Sequence, residues 1–421
     1  MAGEDGADAP DRSLSITFVG INHAPEPTGI GPYTTGMARA LAWRGHRVTV
    51  VTSVPHYPAW QVMAGYGDRR TAHELVDGVQ VVRLRHRIPS RPTMISRSLM
   101  EVAFGLRALT TDWAEPDVVV LVSPALLSCW LVRLRARLTR APVIVWVQDI
   151  YTLGVQQTGG SARLGNLLRH IESQLLRGAA TVVAIHTRFR RYLVHELRVP
   201  ADRISVIRNW SHVEAPEPDP DRRAALRARH GWQPDDLVVL HAGNMGAKQG
   251  LQNVVEASAL AHSEGSTVRF VLLGDGNQRA ALDQLGGNSR LQFLSPVPDA
   301  EFTATLAAAD VLLVNELPGL TEMSVPSKLT SYFATGLPVL GAVDAGSITA
   351  DELAAAGDQP RVPAGDPAAL LAAAEDLGRD PERRRALGRA GRAFRSRHLT
   401  EDRAVAAFCD ALRSVTRSAV R

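Results

Sequence analysis

Residues 14–52 read LSITFVGINHAPEPTGIGPYTTGMARALAWRGHRVTVVT, and this stretch decides the fold. Residues 14–19 are an apolar run of strand character. A loop rich in Gly, Pro and Asn follows. The next segment places Met37, Ala38 and Leu41 on one helical face and stops at Gly45, and VTVVT (48–52) is a second strand. Strand, helix, strand with two apolar runs is a βαβ unit, which requires a parallel sheet with a right-handed crossover. The alternation continues through VVVLV (118–122), VIVWV (143–147), TVVAI (181–185) and ISVI (204–207). It pauses in SHVEAPEPDPD (211–221), a linker signal without periodicity. It restarts at LVVLH (237–241), then VRFVLL (268–273), then 291–294, 311–314 and 339–343. From about residue 367 the chain is Ala- and Arg-rich and helical, with GDP (365–367) and RDP (379–381) as start signals. Two doubly wound α/β domains are predicted. Ligands in such sheets gather at the carboxyl ends of the strands, which directs attention to the cleft between the domains.

Composition removes several classes. Cys129 and Cys409 are the only cysteines, so neither a disulfide framework nor a four-cysteine zinc site is available. The longest apolar run, 118–132, is shorter than the roughly 20 residues a spanning helix needs, and reads as a strand entering a helix near Pro124. The start, MAGEDGADAPD, is acidic and small-residue rich, the opposite of a basic signal-peptide start. A reducing cytoplasm and a disordered tail over 1–13 are the expectations. Net charge is only +4 with no nucleic-acid motif, so nucleic acid is not an expected partner. Of the 47 basic side chains just two are lysines, Lys248 and Lys328, each inside a Gly- or Ser-containing loop. A compact ammonium is predicted to be needed at both places.

Three loops carry chemistry. Gly29-Ile30-Gly31 follows the first strand and opens a helix, where close backbone approach and the helix dipole favour an anion. The glycine spacing is not the dinucleotide fingerprint, and strand two ends without the acid a nicotinamide site uses, so a dehydrogenase is disfavoured. Gly243-Asn244-Met245-Gly246-Ala247-Lys248-Gln249-Gly250 joins a strand to a helix and offers amides and an ammonium, which suit a diphosphate. Val325-Pro326-Ser327-Lys328-Leu329 opens another helix and sets donors at the positive end of its dipole.

These segments, in this order and spacing, resemble the retaining GT-B glycosyltransferases of family 4, in the branch that builds capsular, colanic-acid-like and other surface polysaccharides. The resemblance spans about 14–395. It rests on the stretch from NHAPEPTG to VPHYP (22–58), VQDIY (147–151), SVIRNW (205–210), HAGNMGAKQGL (241–251), LLGDGNQR (272–279), VPSKLTSYFATGLPVL (325–340) and GDPAALLAAAEDL (365–377). It implies two facing doubly wound Rossmann-like domains with a C-terminal helical segment. The N-terminal, acceptor-side domain would cover 14–210 and the linker 211–221. The nucleotide-sugar domain would cover 222–395, with 396–421 a helix packing back on the first domain.

The implied activity is transfer of a sugar from a nucleotide-diphosphate sugar to a glycan or polyprenyl-diphosphate-linked acceptor. It would be retaining and metal-independent, with no cofactor beyond the donor. The resemblance places the diphosphate on Gly29, Gly31, Asn244, Gly246, Lys248, Ser327, Lys328 and Leu329. Base and ribose would lie against Gly274, Asp275, Gly276, Pro296, Val297 and Ser331. Lys248, Lys328, Asp149 and Glu322 form the implied catalytic set. The chain departs from the family pattern at Asn244, where relatives often carry arginine, and at Gln148, where they often carry histidine. It departs most at Ser331, which takes the place of the second of two paired glutamates, while Glu316 and Glu322 lie near the first. A nucleotide-sugar epimerase or hydrolase on the same fold, and a non-catalytic subunit, are the alternative readings.

Two stretches, 78–100 with Arg83, Arg85, Arg87, Arg91 and Arg97, and 118–148 with Arg133, Arg135, Arg137 and Arg140, each contain no acid, and Trp130 lies in the second with Phe104 nearby. An anionic membrane face, with peripheral attachment to the inner side of the cell membrane, is the expected partner of such a surface.

Overall fold

The computed structural model describes residues 12–27, 29–153, 162–211, 219–320 and 327–419. The chain divides into two compact units, Met1–Arg208 together with Ala404–Arg421, and Asn209–Arg403.

The first unit is built on eight strands: β1 (Ser15–Val19), β2 (Arg47–Ser53), β3 (Thr71–Val76), β4 (Val79–Leu84), β5 (Val118–Ser123), β6 (Val143–Val147), β7 (Thr181–Ala184) and β8 (Ile204–Val206). Their order is β3-β4-β2-β1-β5-β6-β7-β8. Every pairing is parallel except β3 with β4. Phe18 of β1 sits between Val50 and Val120, and all three are fully buried. Uninterrupted apolar strands of this kind are what a sheet covered on both faces requires. From Ala404 onward the last helix, Glu401–Ala419, belongs to this unit: Phe408 lies 6.1 Å from Phe18 and 5.3 Å from Trp146, centroid to centroid.

The β3–β4 hairpin is absent from the sequence reading, which took residues from 78 onward as a basic surface. Asp77 and Gly78 both hold positive φ, 50° and 80°, the geometry of the tight turn that matches strand twist. Within the hairpin Arg83 pairs with Glu74 at 2.9 Å and donates to the Ala24 carbonyl at 2.7 Å. Arg83 is therefore buried. Phe104 is buried too, and Arg135 is spent on the carbonyls of Ala108, Leu109 and Thr111 and on the face of Trp113. The expected basic surface loses these three members.

The second unit holds β9 (Leu237–Ala242), β10 (Val268–Leu273), β11 (Leu291–Leu294), β12 (Val311–Asn315), β13 (Val339–Ala342) and β14 (Arg361–Val362). The order is β11-β10-β9-β12-β13-β14, all parallel. Along β9 the side chains alternate between two cores. Val238, Leu240 and Ala242 join Tyr332 and Phe333, while Leu237 and Val239 join Val254 and Leu370. Three helices begin with an aspartate cap followed by proline. Asp219, Asp366 and Asp380 accept from the amides of Arg222, Ala369 and Arg383 at 2.8, 2.9 and 2.8 Å. Asp219 and Pro220 thus begin the helix Pro220–Arg229 rather than closing the linker assigned to 211–221, whose residues 212–218 lie outside the described residues.

Candidate functional site

The loop after β9 crosses the loop after β10 so closely that only glycine fits. A Cβ on Gly274, whose φ is +137°, would stand 2.0 Å from the carbonyl oxygen of Gly243. A Cβ on Gly276 would stand 2.6 Å from the Met245 oxygen. The crossing is tied by Met245 N donating to Asp275 O at 2.8 Å and Gln278 N to Met245 O at 3.0 Å. Met245 is fully buried and anchors the loop, which leaves Asn244, Ala247 and Lys248 exposed. Asp275 accepts from Gly276 N at 2.7 Å and closes its own turn.

The far end of the loop is held by a residue the sequence reading passed over. Asn315, at the end of β12, donates to the carbonyls of Gln249 and Gly250 at 2.8 and 3.0 Å, and its own oxygen accepts from Asn253 at 2.8 Å. Leu317 N donates to the Lys248 carbonyl at 2.8 Å. Main-chain bonds thus fix the Lys248 backbone and leave its side chain exposed.

Lys328 enters the same region from the helix Ser327–Thr335. This helix is pinned to β9 by Tyr332, whose hydroxyl accepts from Ala242 N at 2.7 Å and donates to Ala242 O at 3.2 Å. One turn earlier, Lys328 Nζ lies 3.1 Å from Nε2 of His241, a fully buried β9 residue. A Cβ on Gly243 would be 3.9 Å from the same amine. Burial pushes the Lys328 amine down to about 7, opposed by the Glu316 carboxylate. Burial and the facing lysine keep His241 neutral. Glu316 is raised by burial, and accepts from the Thr349 hydroxyl. With the ammonium as donor, Nε2 of His241 is the acceptor and the ring proton sits on Nδ1.

Both lysines therefore belong to one surface of the second unit: Lys248 on the loop, Lys328 beneath Gly243. Ser327 is exposed at the helix start, and Leu329 sends its side chain into the core, which leaves only its backbone to face outward. Ser331 is half-buried in that helix. Pro296 and Val297 follow β11, whose Leu294 carbonyl accepts from Gly274 N at 2.9 Å, which sets them beside the crossed loops. Glu322 lies outside the described residues.

In the first unit the carboxyl ends of β1, β2, β5 and β6 surround a cavity of 160 Å³ lined by Gly29, His56, Trp60, Arg97, Glu101 and Asp149, among others. Glu26, buried, organises its rim by accepting from His56 N and Tyr57 N at 2.9 Å each and from Asn22 at 2.7 Å. Gly31 packs against it: a Cβ there would be 3.2 Å from the Glu26 carbonyl. Ser123 donates to the Asp149 carbonyl at 3.1 Å. Glu101 accepts from Leu127 N at 3.0 Å, capping a helix that has no side-chain cap of its own, and burial raises its carboxyl to about 7. Trp60 holds φ +55°, rare for a large side chain, and Arg97 lies over its ring at 5.4 Å. Glu26, Glu101 and Trp60 are further residues that the sequence reading did not single out.

Residues 28–210 match the family described as glycosyl transferase 4-like domain, and residues 236–380 match glycosyl transferases group 1. The putative colanic acid biosynthesis glycosyl transferase WcaI of Escherichia coli (strain K12) is 30% identical over 77% of this chain and 82% of that protein. The probable glycosyltransferase WbjE of Pseudomonas aeruginosa is 27% identical over 68% and 72%. Among solved structures, Anabaena Alr3699/HepE in complex with UDP superposes with a TM-score of 0.69 at 16% identity, over 95% of this chain and all of that one. Sucrose-phosphate synthase from Thermosynechococcus elongatus gives 0.74 at 16% identity, over 96% and 99%.

Proposed function

The chain belongs to the GT-B glycosyltransferases of family 4, and from that membership we propose that it moves a sugar from a nucleotide-diphosphate sugar to a glycan or polyprenyl-diphosphate-linked acceptor in surface polysaccharide synthesis. The observation that carries the donor side is the meeting of Lys328 with the crossed loops. A buried amine beneath Gly243, an exposed lysine on the same loop and the start of the helix Ser327–Thr335 carry it. Glycine crossings fix the loop before any ligand arrives.

Breaking the bond between the sugar and the diphosphate places negative charge on the leaving oxygens. Donors already in position stabilise that charge without reorganising. Lys248, Lys328 and the amides of Ser327, Lys328 and Leu329 take this role, and no metal ion or other cofactor is assigned. Retention of configuration is part of the proposal and rests on the family likeness. The acceptor side is assigned to the 160 Å³ cavity of the first unit, where Asp149, Glu101 and Arg97 face a Trp60 ring suited to stacking on a sugar.

A thermal-shift screen against UDP-, GDP- and ADP-sugars tests the donor site, because a ligand that binds the folded state raises apparent stability. NMR of the product then reads the anomeric configuration. Free sugar released without any acceptor would mark a hydrolase, isomerised nucleotide an epimerase, and no shift with any donor a non-catalytic subunit.

A further inference from the structure

Arg97 and Glu101 stand one turn apart on the helix Met94–Thr110, and both line the cavity of the first unit. Opposite charges four residues apart on a helix ordinarily pair, less well when the cation comes first. These two do not pair. Among the described residues Arg97 has no ion pair, and its guanidinium lies 5.4 Å from the centroid of the Trp60 ring. A ring face supplies no oxygen, so the guanidinium keeps its N–H donors for an anion. Its aim is set in advance, because the Trp60 ring is wedged 5.8 Å from His56 and 6.3 Å from Tyr57, whose amides Glu26 fixes.

Glu101 is the complementary half. It is only 5% exposed. One carboxylate oxygen, Oε2, accepts from Leu127 N at 3.0 Å, and among the described residues Oε1 has no hydrogen-bond partner. A buried carboxylate oxygen without a partner is costly unless something in the cavity serves it. Burial raises the carboxyl to about 7, so at neutral pH about half of its charge is withheld from Arg97. The ionisable neighbours Cys129 and Tyr151 are both pushed up by burial and by Glu101 itself, and stay neutral. Arg97 is the one arginine or lysine of the described lining, and Asp149, its other acid, follows β6 and suits a further hydroxyl.

We infer that the acceptor is an anionic sugar: Arg97 takes a carboxylate or phosphate carried by the ring, and Oε1 of Glu101 takes the hydrogen of a hydroxyl beside it. Positions one helical turn apart are separated by roughly 5–6 Å at Cβ, a span that one monosaccharide covers. A neutral sugar leaves Arg97 unanswered, and an anion without a neighbouring hydroxyl leaves Oε1 unpaired. The inference rests on the acceptor cavity proposed above and adds the class of sugar that enters it.

The test is NMR titration of the full chain with p-nitrophenyl β-D-glycosides of the gluco and galacto series, each as the uronide, the 6-phosphate and the neutral parent sugar. In one series an anionic glycoside should bind at least about tenfold more tightly than its neutral parent, the uronide if Arg97 serves a carboxylate and the 6-phosphate if it serves a phosphate. Arg97→Gln should bring that glycoside down to the affinity of the neutral one, and Arg97→Lys should restore part of the difference. Glu101→Gln keeps an oxygen for Leu127 N but turns an amide donor toward the cavity, and should weaken all three by about tenfold. Circular dichroism should stay as in the parent protein. Equal affinity for all three, binding of none, or a preference untouched by Arg97→Gln overturns the inference. The cavity reading fails separately, when glycoside affinity is indifferent to Trp60→Gly.

Discussion

Lys328 Nζ stands 3.1 Å from Nε2 of the buried His241, so the ammonium that faces the donor loop is held by a neutral ring rather than by a carboxylate. Glu316 acts on it only as a neighbouring charge. The amine is thereby poised at about 7 instead of its ordinary 10.5. A bound diphosphate would raise it again.

Donor binding should therefore take up a proton above pH 7. Titration calorimetry in two buffers of different ionisation enthalpy is expected to show close to one proton taken up at pH 8 and almost none at pH 6. Donor affinity should weaken by up to about tenfold per pH unit above 7. In the empty protein the sign is opposite. Between about 7 and 10.5 the unfolded chain holds a proton that the folded one lacks, so this group makes stability rise with pH across that window. Lys328→Met should abolish both effects. Uptake that is absent at pH 8 in the parent protein would show the amine already charged.

Lys248→Ala should lower turnover at least about a hundredfold, equivalent to about 2.7–4 kcal/mol, the range for removal of one preorganised donor. Its side chain is exposed, and the bond from Leu317 N to the Lys248 carbonyl survives the change. Contacts of an exposed side chain are worth about 1 kcal/mol at most, so the melting temperature should move by less than about 4 °C. Turnover near the parent value would remove Lys248 from the diphosphate site.

Glu101→Gln separates charge from shape in the first unit. A carboxyl raised from 4.5 to about 7 makes the folded state hold a proton that the unfolded chain has lost, so stability falls as pH climbs between those values. The loss is on the order of 3 kcal/mol at most. The difference in stability between the parent protein and the glutamine variant, read by chemical denaturation at each pH, should follow this fall between about pH 4.5 and 7, with the Leu127 amide still accepted by the side-chain oxygen. A profile that still slopes by the same amount would place the titration elsewhere.

The parallel strands were readable because burial on both faces leaves an unbroken apolar run, as at 118–122 and 143–147. The donor loops were readable because their glycines are required by close crossings, as at Gly274 over Gly243. The β3–β4 hairpin was passed over although Asp77-Gly78 signals such a turn, because an edge strand with one face open alternates weakly: Thr71–Val76 is almost wholly exposed or half-buried. Charged residues divide in the same way. Arg83 and Arg97 look alike in sequence, yet one is buried against Glu74 and the other lies over Trp60, and only the tertiary partner tells them apart. Asn315 and Glu101 carry no local signal at all, since each acts on backbone groups 65 and 26 residues away.

Trp60 supplies the sharpest test of the acceptor cavity. Its φ of +55° costs about 1–3 kcal/mol for a residue with a Cβ, and the ring is only half-buried, in contact with His56, Tyr57 and Arg97. Trp60→Gly relieves the backbone while it removes the ring, so the two contributions to stability oppose each other, and the melting temperature should shift by no more than about 3 °C. Strain retained at a cavity mouth makes sense where the ring is used. The KM for the acceptor should therefore rise at least tenfold, while the donor-induced thermal shift, which reads the second unit alone, stays unchanged. The comparison with Trp60→Phe decides between stacking and mere space filling: a phenyl ring keeps a flat face for a sugar and should restore most of the affinity. An acceptor KM that is indifferent to all three side chains would move the acceptor away from this cavity.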